Sequence, residues 1–215
     1  MKERNPQSAN FDFHDPVWQA AARQRSAGAP ASSGARLPIG IYNVPAAVEY
    51  LPHNPEARRV AQALARLIVR RNANLEVEHI GSTAVPGCWG KGIIDLLIGY
   101  PGGTLRAARE TLDRLGFQRQ GGPEPFPESR PMRVGSFEYF GRAYRIHAHV
   151  IESGTAEAVN LIKFRDALRQ DATLRRAYEA EKRAILARGI TQGTEYSKAK
   201  GDFILRALGE RGKHL

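Results

Sequence analysis

Cysteine is nearly absent from this chain: Cys88 stands alone among 215 residues. One thiol forms no internal disulfide and no cysteine-based zinc knuckle. No nucleophile signature surrounds Cys88, so it reads as a small turn or core residue. Long apolar runs are missing too. No stretch approaches the roughly 20 residues that cross a bilayer, and the N-terminus lacks the apolar segment of a secretory signal. The expectation is a cytoplasmic protein with no membrane span. Acidic residues are outnumbered, 22 against 32 Lys and Arg, giving a net charge of +10 and a pI near 10.1. Such a field draws polyanions such as nucleic acid, nucleotides, acidic proteins or charged membrane surfaces, without choosing among them. Many of the arginines fall beside Glu or Asp on helical stretches, where an ion-paired solvated face is the ordinary explanation.

What is present is a globular composition, 42% hydrophobic and 25% charged. It supports a sizeable core in one or two domains. Residues 1–36 are rich in Ala, Ser, Gly, Pro and Arg and read as a mobile arm; "FDFHDPVW" within it is a segment that docks, or an incidental aromatic cluster. The ordered domain is expected over 37–215. "HNPEARRVAQALARLIVRR" is a helix, with Asn54 to cap it, Pro55 in its first turn and a stripe of Val60, Leu64, Leu67 and Ile68. "LEVEHI" alternates as a strand, with His79 on one face and Glu78 on the other. "GIIDLLIGY" suits a strand buried on both sides. Thr104 caps the next helix and Gly116 closes it. "QGGPEPFPESRPM" is an irregular loop, either a cover for a cleft or an ordinary excursion. Phe137–Phe140 and Ala143–Ile151 form a hairpin about Gly141-Arg142. Three helices follow: "AEAVNLIKFRDALRQ", one from Asp171 to Gly189, and one from Thr194 to Gly209. The order predicts an α/β (α+β) fold, a mixed sheet with helices packed on it.

Asp95 is the first candidate for chemistry. A carboxylate inside an apolar strand is costly unless something pairs with it, and that partner is an arginine or a metal ion in a cleft. His147 and His149 share a strand face, with Ile146, Ala148 and Val150 on the core side, so the imidazoles meet solvent or the cleft. Paired imidazoles bind a divalent metal, or phosphate when protonated. Gly81, Ser82 and Thr83 form a turn suited to cradling phosphate, or simply a tight turn that Ser82 caps. The Walker pattern fails around Lys91: Gly92 stands where Ser or Thr is required. In the C-terminal helices Lys163, Arg165, Lys198 and Lys200 are candidates for the opposite cleft wall. Lys198 and Lys200 are two apart, so at most one points inward. Tyr178 and Tyr196 should pack with their hydroxyls at the edge.

"EHIGSTAVPG", Lys91, "IIDLLIG", "HAHVIE", "FRDALR" and "YSKAKGDFI", in that order, resemble the GrpB family of nucleotidyltransferase-like proteins. The resemblance spans most of residues 40–208, and "HIGSTAVPG" is its specific part. It implies a nucleotidyltransferase-like fold, a small mixed sheet flanked by helices. In that superfamily a Gly-Ser turn precedes a strand with two metal carboxylates, and Mg²⁺ or Mn²⁺ bridges the phosphates of an NTP. Gly81 and Ser82 match the turn and Asp95 the first carboxylate, which makes Asp95 and His149 the catalytic candidates. Gly81, Ser82, Thr83, Lys91, Arg165 and Lys198 are the phosphate candidates; Asp95, His147, His149 and Glu78 are the metal candidates. The pattern departs at Leu97, which stands where the second carboxylate belongs, and at the histidines, which stand where a third acid is expected. Glu78 is the substitute acid if its strand face meets the cleft. Three functions follow. One is nucleotidyl transfer from an NTP to an unknown acceptor. The second is non-catalytic binding of a nucleotide or coenzyme-A precursor, and the third is nucleic-acid binding through the basic surface. The first two require Asp95 and the histidines to wall one phosphate-sized hollow.

Overall fold

The structure is a computed structural model and describes residues 37–43, 47–122 and 124–209. The arm expected over 1–36, with its aromatic segment, lies outside the described residues. The first helix, α1 (Ala57–Arg71), starts two residues later than its signals imply. Asn54 still organises the entry, its side chain accepting from the Glu56 N–H at 3.0 Å. Strand β1 (Glu76–Ile80) leads through Gly81 into a 3₁₀ turn, Ser82–Ala84. Strand β2 (Ile94–Tyr100) carries Asp95 and is buried almost throughout. Helix α2 (Leu105–Leu115) ends on Gly116 at φ 102°, where a left-handed residue frees the chain to turn. Thr104 does not cap it; the hydroxyl donates backwards to the Pro101 carbonyl at 2.6 Å.

A two-residue strand β3 (Gln118–Arg119), which the sequence pattern did not signal, precedes the hairpin of β4 (Met132–Tyr139) and β5 (Arg142–Glu152). The hairpin turns one residue earlier than predicted, about Phe140 and Gly141, because Tyr139 pairs with Arg142. Both turn residues have positive φ, 48° and 74°, which matches the twist of the flanking strands. Helices α3 (Ala156–Gln170) and α4 (Ala172–Ala187) meet at Asp171, whose carboxylate caps α4 by accepting from the N–H groups of Thr173 and Leu174. The helix expected from Thr194 to Gly209 is broken at Lys200 into α5 (Gly193–Ala199) and α6 (Gly201–Ala207).

The five strands run in the order β1-β2-β5-β4-β3. Only the β2–β5 pairing is parallel; the others are antiparallel. The sheet is therefore mixed, as the resemblance implied. Helices α1 and α2 cover one face through Val60, Leu64, Ile68 and Leu112, packed on Ile94, Leu96, Ile98, Ile146, Ala148 and Val150. Alternation turns Asp95, His147 and His149 to the opposite face. There α3 covers the far end, where Ile80, Leu97, Ile151 and Ala158 form a second apolar cluster. The C-terminal helices pack against the segment joining the 3₁₀ turn to β2, through Val85, Cys88, Leu168 and Tyr178. The sheet face between these contacts stays open at Asp95. Among the described residues no helix is long and apolar enough to cross a membrane.

Candidate functional site

The 3₁₀ turn is fastened to β2 by one chain of hydrogen bonds. The Thr83 hydroxyl donates to the Ile93 carbonyl at 2.9 Å and contacts His79 Nε2 at 3.0 Å. With its single proton spent on Ile93, the hydroxyl accepts from His79, so Nε2 carries the hydrogen. Burial holds the His79 ring neutral, with its pKa pushed down to about 4. Gly81 has φ 72° and ψ −173°, a conformation essentially confined to glycine. Its α-carbon packs directly on the Asp95 carboxylate. Gly90 packs as closely on the Ser82 side chain and is tied to Leu51 by two backbone hydrogen bonds. Close approach of backbone to polar side chain is what both glycines permit.

Beside this turn lies a small hollow, partly open to solvent, lined by Gly81, Ser82, Gly90, Lys91, Ile93, Asp95, Tyr178, Lys182, Tyr196 and Lys200. One carboxylate thus faces three ammonium groups. Lys91 and Lys200 lie 5.8 and 4.9 Å from the Tyr196 ring centre, and Lys182 lies 4.5 Å from that of Tyr178. Lys182 is 2% exposed. It donates to the Trp89 carbonyl and reaches Cys88 Sγ at 3.4 Å. Burial lowers the pKa of all three lysines, and for Lys200 burial and then the neighbouring Lys91 bring it to about 7. An arriving anion relieves that repulsion. The Tyr196 hydroxyl is buried without a hydrogen-bond partner.

The imidazoles do not line this hollow, contrary to expectation; they meet Asp95 from the neighbouring strand. Parallel register places His147 beside Asp95 and His149 beside Leu97. His147 Nδ1 lies 3.6 Å and His149 Nε2 3.8 Å from Asp95 Oδ1. Burial works against the Asp95 charge, but the two imidazoles and Lys91 outweigh it and hold the carboxyl down at about 2. Burial also pushes His147 down to about 4. The ring is therefore neutral at pH 7, and Lys91 is the cation that answers Asp95 there. Tyr42 contacts His147 Nε2 at 2.8 Å. Phe126, from the Pro/Gly-rich loop, meets the His149 ring edge-on at 5.9 Å, so that loop reaches the histidine side of the site.

Other candidates lie elsewhere. Glu78 shares the sheet face of Asp95, but its carboxylate takes Arg165 Nη1 at 2.6 Å. Arg165 also binds Asp166 and the His79 carbonyl. That arginine is therefore committed to β1 and α3, outside the lysine-lined hollow. Lys198 points away to Glu124 at 2.5 Å. Lys163 is exposed, and the Thr83 side chain is buried under the turn rather than presented in it. Lys182, Tyr42 and Gly90 were not anticipated. A lone lysine on an amphipathic helix and a tyrosine far upstream carry no local signal of a shared site.

The family model described as GrpB protein matches residues 47–210. The chain belongs to the GrpB family. A UPF0157 protein of Streptomyces coelicolor is 33% identical over 181 residues, covering 82% of this chain and 86% of that one. A UPF0157 protein of Pseudomonas aeruginosa is 34% identical over 171 residues, covering 75% and 66%. Among solved structures, the conserved protein GrpB from Enterococcus faecalis aligns with a TM-score of 0.59 at 23% identity, over 75% of this chain and 96% of that one. This supports a shared GrpB fold. Cid1 poly(U) polymerase, solved with Mg 3'-dATP, aligns at a TM-score of 0.43 and 13% identity, over 60% and 41%.

Proposed function

We propose that this GrpB protein binds the phosphates of an NTP in the lysine-lined hollow and transfers a nucleotidyl group to an acceptor, with a divalent ion at Asp95. The observation that carries this is the contact of the Gly81 turn with Asp95. It sets a backbone cradle, three ammonium groups and one ionised carboxylate around a single space. Lys91, Lys182 and Lys200 neutralise phosphate oxygens, and their partial desolvation strengthens each charge contact. Asp95, His147 and His149 are the side chains that would hold the ion. They fit it: the His147 imidazole is neutral, and His147 Nδ1 and His149 Nε2 stand 3.6 and 3.8 Å from Asp95 Oδ1. A bound ion supplies charge neutralisation at the reacting phosphate.

Leu97 favours a second reading, in which the same hollow binds a nucleotide or coenzyme-A precursor without turnover. It is 3% exposed and sealed by Ile80, Ile151 and Ala158, so the usual second carboxylate has no counterpart there. Incubation with NTPs labelled at the γ-phosphate, under Mg²⁺ and Mn²⁺, separates the two. Release of pyrophosphate that disappears in Asp95→Asn supports transfer. Nucleotide binding without pyrophosphate release, for every NTP and acceptor extract offered, supports the binding module. If Asp95→Asn and Lys200→Gln bind ATP as the wild type does, both readings fall.

A further inference from the structure

The side chains around Asp95 also bear on which ion would occupy the site, a question that rests on reading this group as the ion-binding side of the site. Among the described residues, Asp95, His147 and His149 form a group whose potential ligand atoms all lie within 4.8 Å of one another. The donor set is one oxygen and two imidazole nitrogens. Mg²⁺ takes oxygen ligands and keeps its waters, whereas imidazole suits zinc, iron and their first-row neighbours. Asp95 is the single carboxylate in that group, so the protein itself offers Mg²⁺ little oxygen ligation. Leu97 is sealed in an apolar cluster, and Glu78 is bound by Arg165.

The histidines are positioned in a way the protein alone does not use. His149 Nε2 stands 3.8 Å from Asp95 Oδ1, beyond hydrogen-bond reach, so the nitrogen that faces the carboxylate is not engaged by it. His147 Nδ1 stands 3.6 Å from the same carboxylate oxygen. Two ligands held at about 2.1 Å in tetrahedral geometry stand roughly 3.4 Å apart, so these spacings need little closure. At the far edge of that ring, Tyr42 lies 2.8 Å from Nε2. When Nε2–H donates to the Tyr42 oxygen, the Nδ1 lone pair faces Asp95. An outer hydrogen bond of this kind orients a ligating histidine and fixes its tautomer. Phe126 packs edge-on against the His149 ring.

We propose that Asp95, His147 and His149 hold one first-row transition ion in preference to Mg²⁺, with Tyr42 as the positioning residue for His147. Calorimetric titration of the full chain with Co²⁺ alone and with Mg²⁺ alone tests this, together with the visible absorption of the Co²⁺-loaded protein. The expected result is one equivalent of Co²⁺ bound at least 100-fold more tightly than Mg²⁺, with a spectrum showing nitrogen ligation. His147→Gln and His149→Gln should abolish binding, and Tyr42→Phe should weaken it about tenfold with circular dichroism unchanged. Co²⁺ retained at full affinity in the double glutamine variant, or Mg²⁺ bound as tightly as Co²⁺, overturns the proposal. The wild-type spectrum decides the point if the variants do not fold, because a spectrum of oxygen ligation alone also overturns it. ATP binding in the presence of a chelator reads the lysine hollow separately. Its failure counts against the nucleotide reading and leaves the ion preference standing.

Discussion

Gly81 leaves no room for a side chain against Asp95: a β-carbon built on Gly81 lies 2.5 Å from Asp95 Oδ2 and 3.0 Å from its Cβ. The clash would be with a carboxylate whose own position is fixed by the strand. The backbone there also has φ 72° and ψ −173°. Gly81→Ala is therefore expected to cost roughly 1–3 kcal/mol through backbone strain, and more through the displaced carboxylate. Urea unfolding measures the first effect. Loss of triphosphate binding, out of proportion to the loss of stability, measures the second.

Lys200 should give anion binding a pH dependence near neutrality. Its pKa of about 7 is set by burial and by Lys91, with Lys182 adding to the depression and Asp95 opposing it. A lysine is charged below its pKa, so its contribution is present at pH 6 and lost as pH rises through about 7. Tripolyphosphate affinity should fall between pH 6 and 8.5, with proton uptake on binding at the upper end. In Lys200→Gln the profile should flatten over this range. An unchanged slope in that variant contradicts the assignment.

Glu78 and Asp95 occupy the same sheet face, yet among the described residues only Asp95 stands with His147 and His149. Glu78→Gln should leave Co²⁺ and Mn²⁺ affinity unchanged, because that carboxylate already pairs with Arg165. Asp95→Asn should abolish both. Equal losses in the two variants would mean that Glu78 swings away from Arg165 to join the ion.

His79 should contribute to acid sensitivity. Its folded-state pKa of about 4 lies below the ordinary 6.5 because of burial. Between these values the unfolded chain binds a proton that the folded chain does not. The stability linked to His79 is therefore complete above about pH 6.5 and is lost as pH falls towards 4, by up to about 3 kcal/mol. His79→Gln should shallow the fall in urea midpoint over that window.

Much of this arrangement was legible before any coordinates. The strand of Asp95 announced itself as a short β-rich run, and the alternation in "RIHAHV" placed both histidines away from the core. The "HIGSTAVPG" segment tied these to a known family. What escaped depends on contacts distant in sequence. Nothing near Glu78 shows that Arg165, 87 positions later, neutralises it. Nor does the sequence around Lys182 show that its ammonium returns to Trp89. Lys198 and Lys200 differ by two positions, and only packing separates the one turned to Glu124 from the one lining the hollow. The break at Lys200 has one sequence marker, Gly201 directly after it, which the helical pattern on either side obscures.

The most direct test of the account is anomalous diffraction from crystals soaked with Mn²⁺ and a non-hydrolysable ATP analogue. The account predicts a manganese peak within bonding distance of Asp95, His147 and His149, with phosphate density against Gly81 and Ser82 and within reach of Lys91 and Lys200. Phosphates bound on exposed arginines, with no anomalous peak at Asp95, would contradict it.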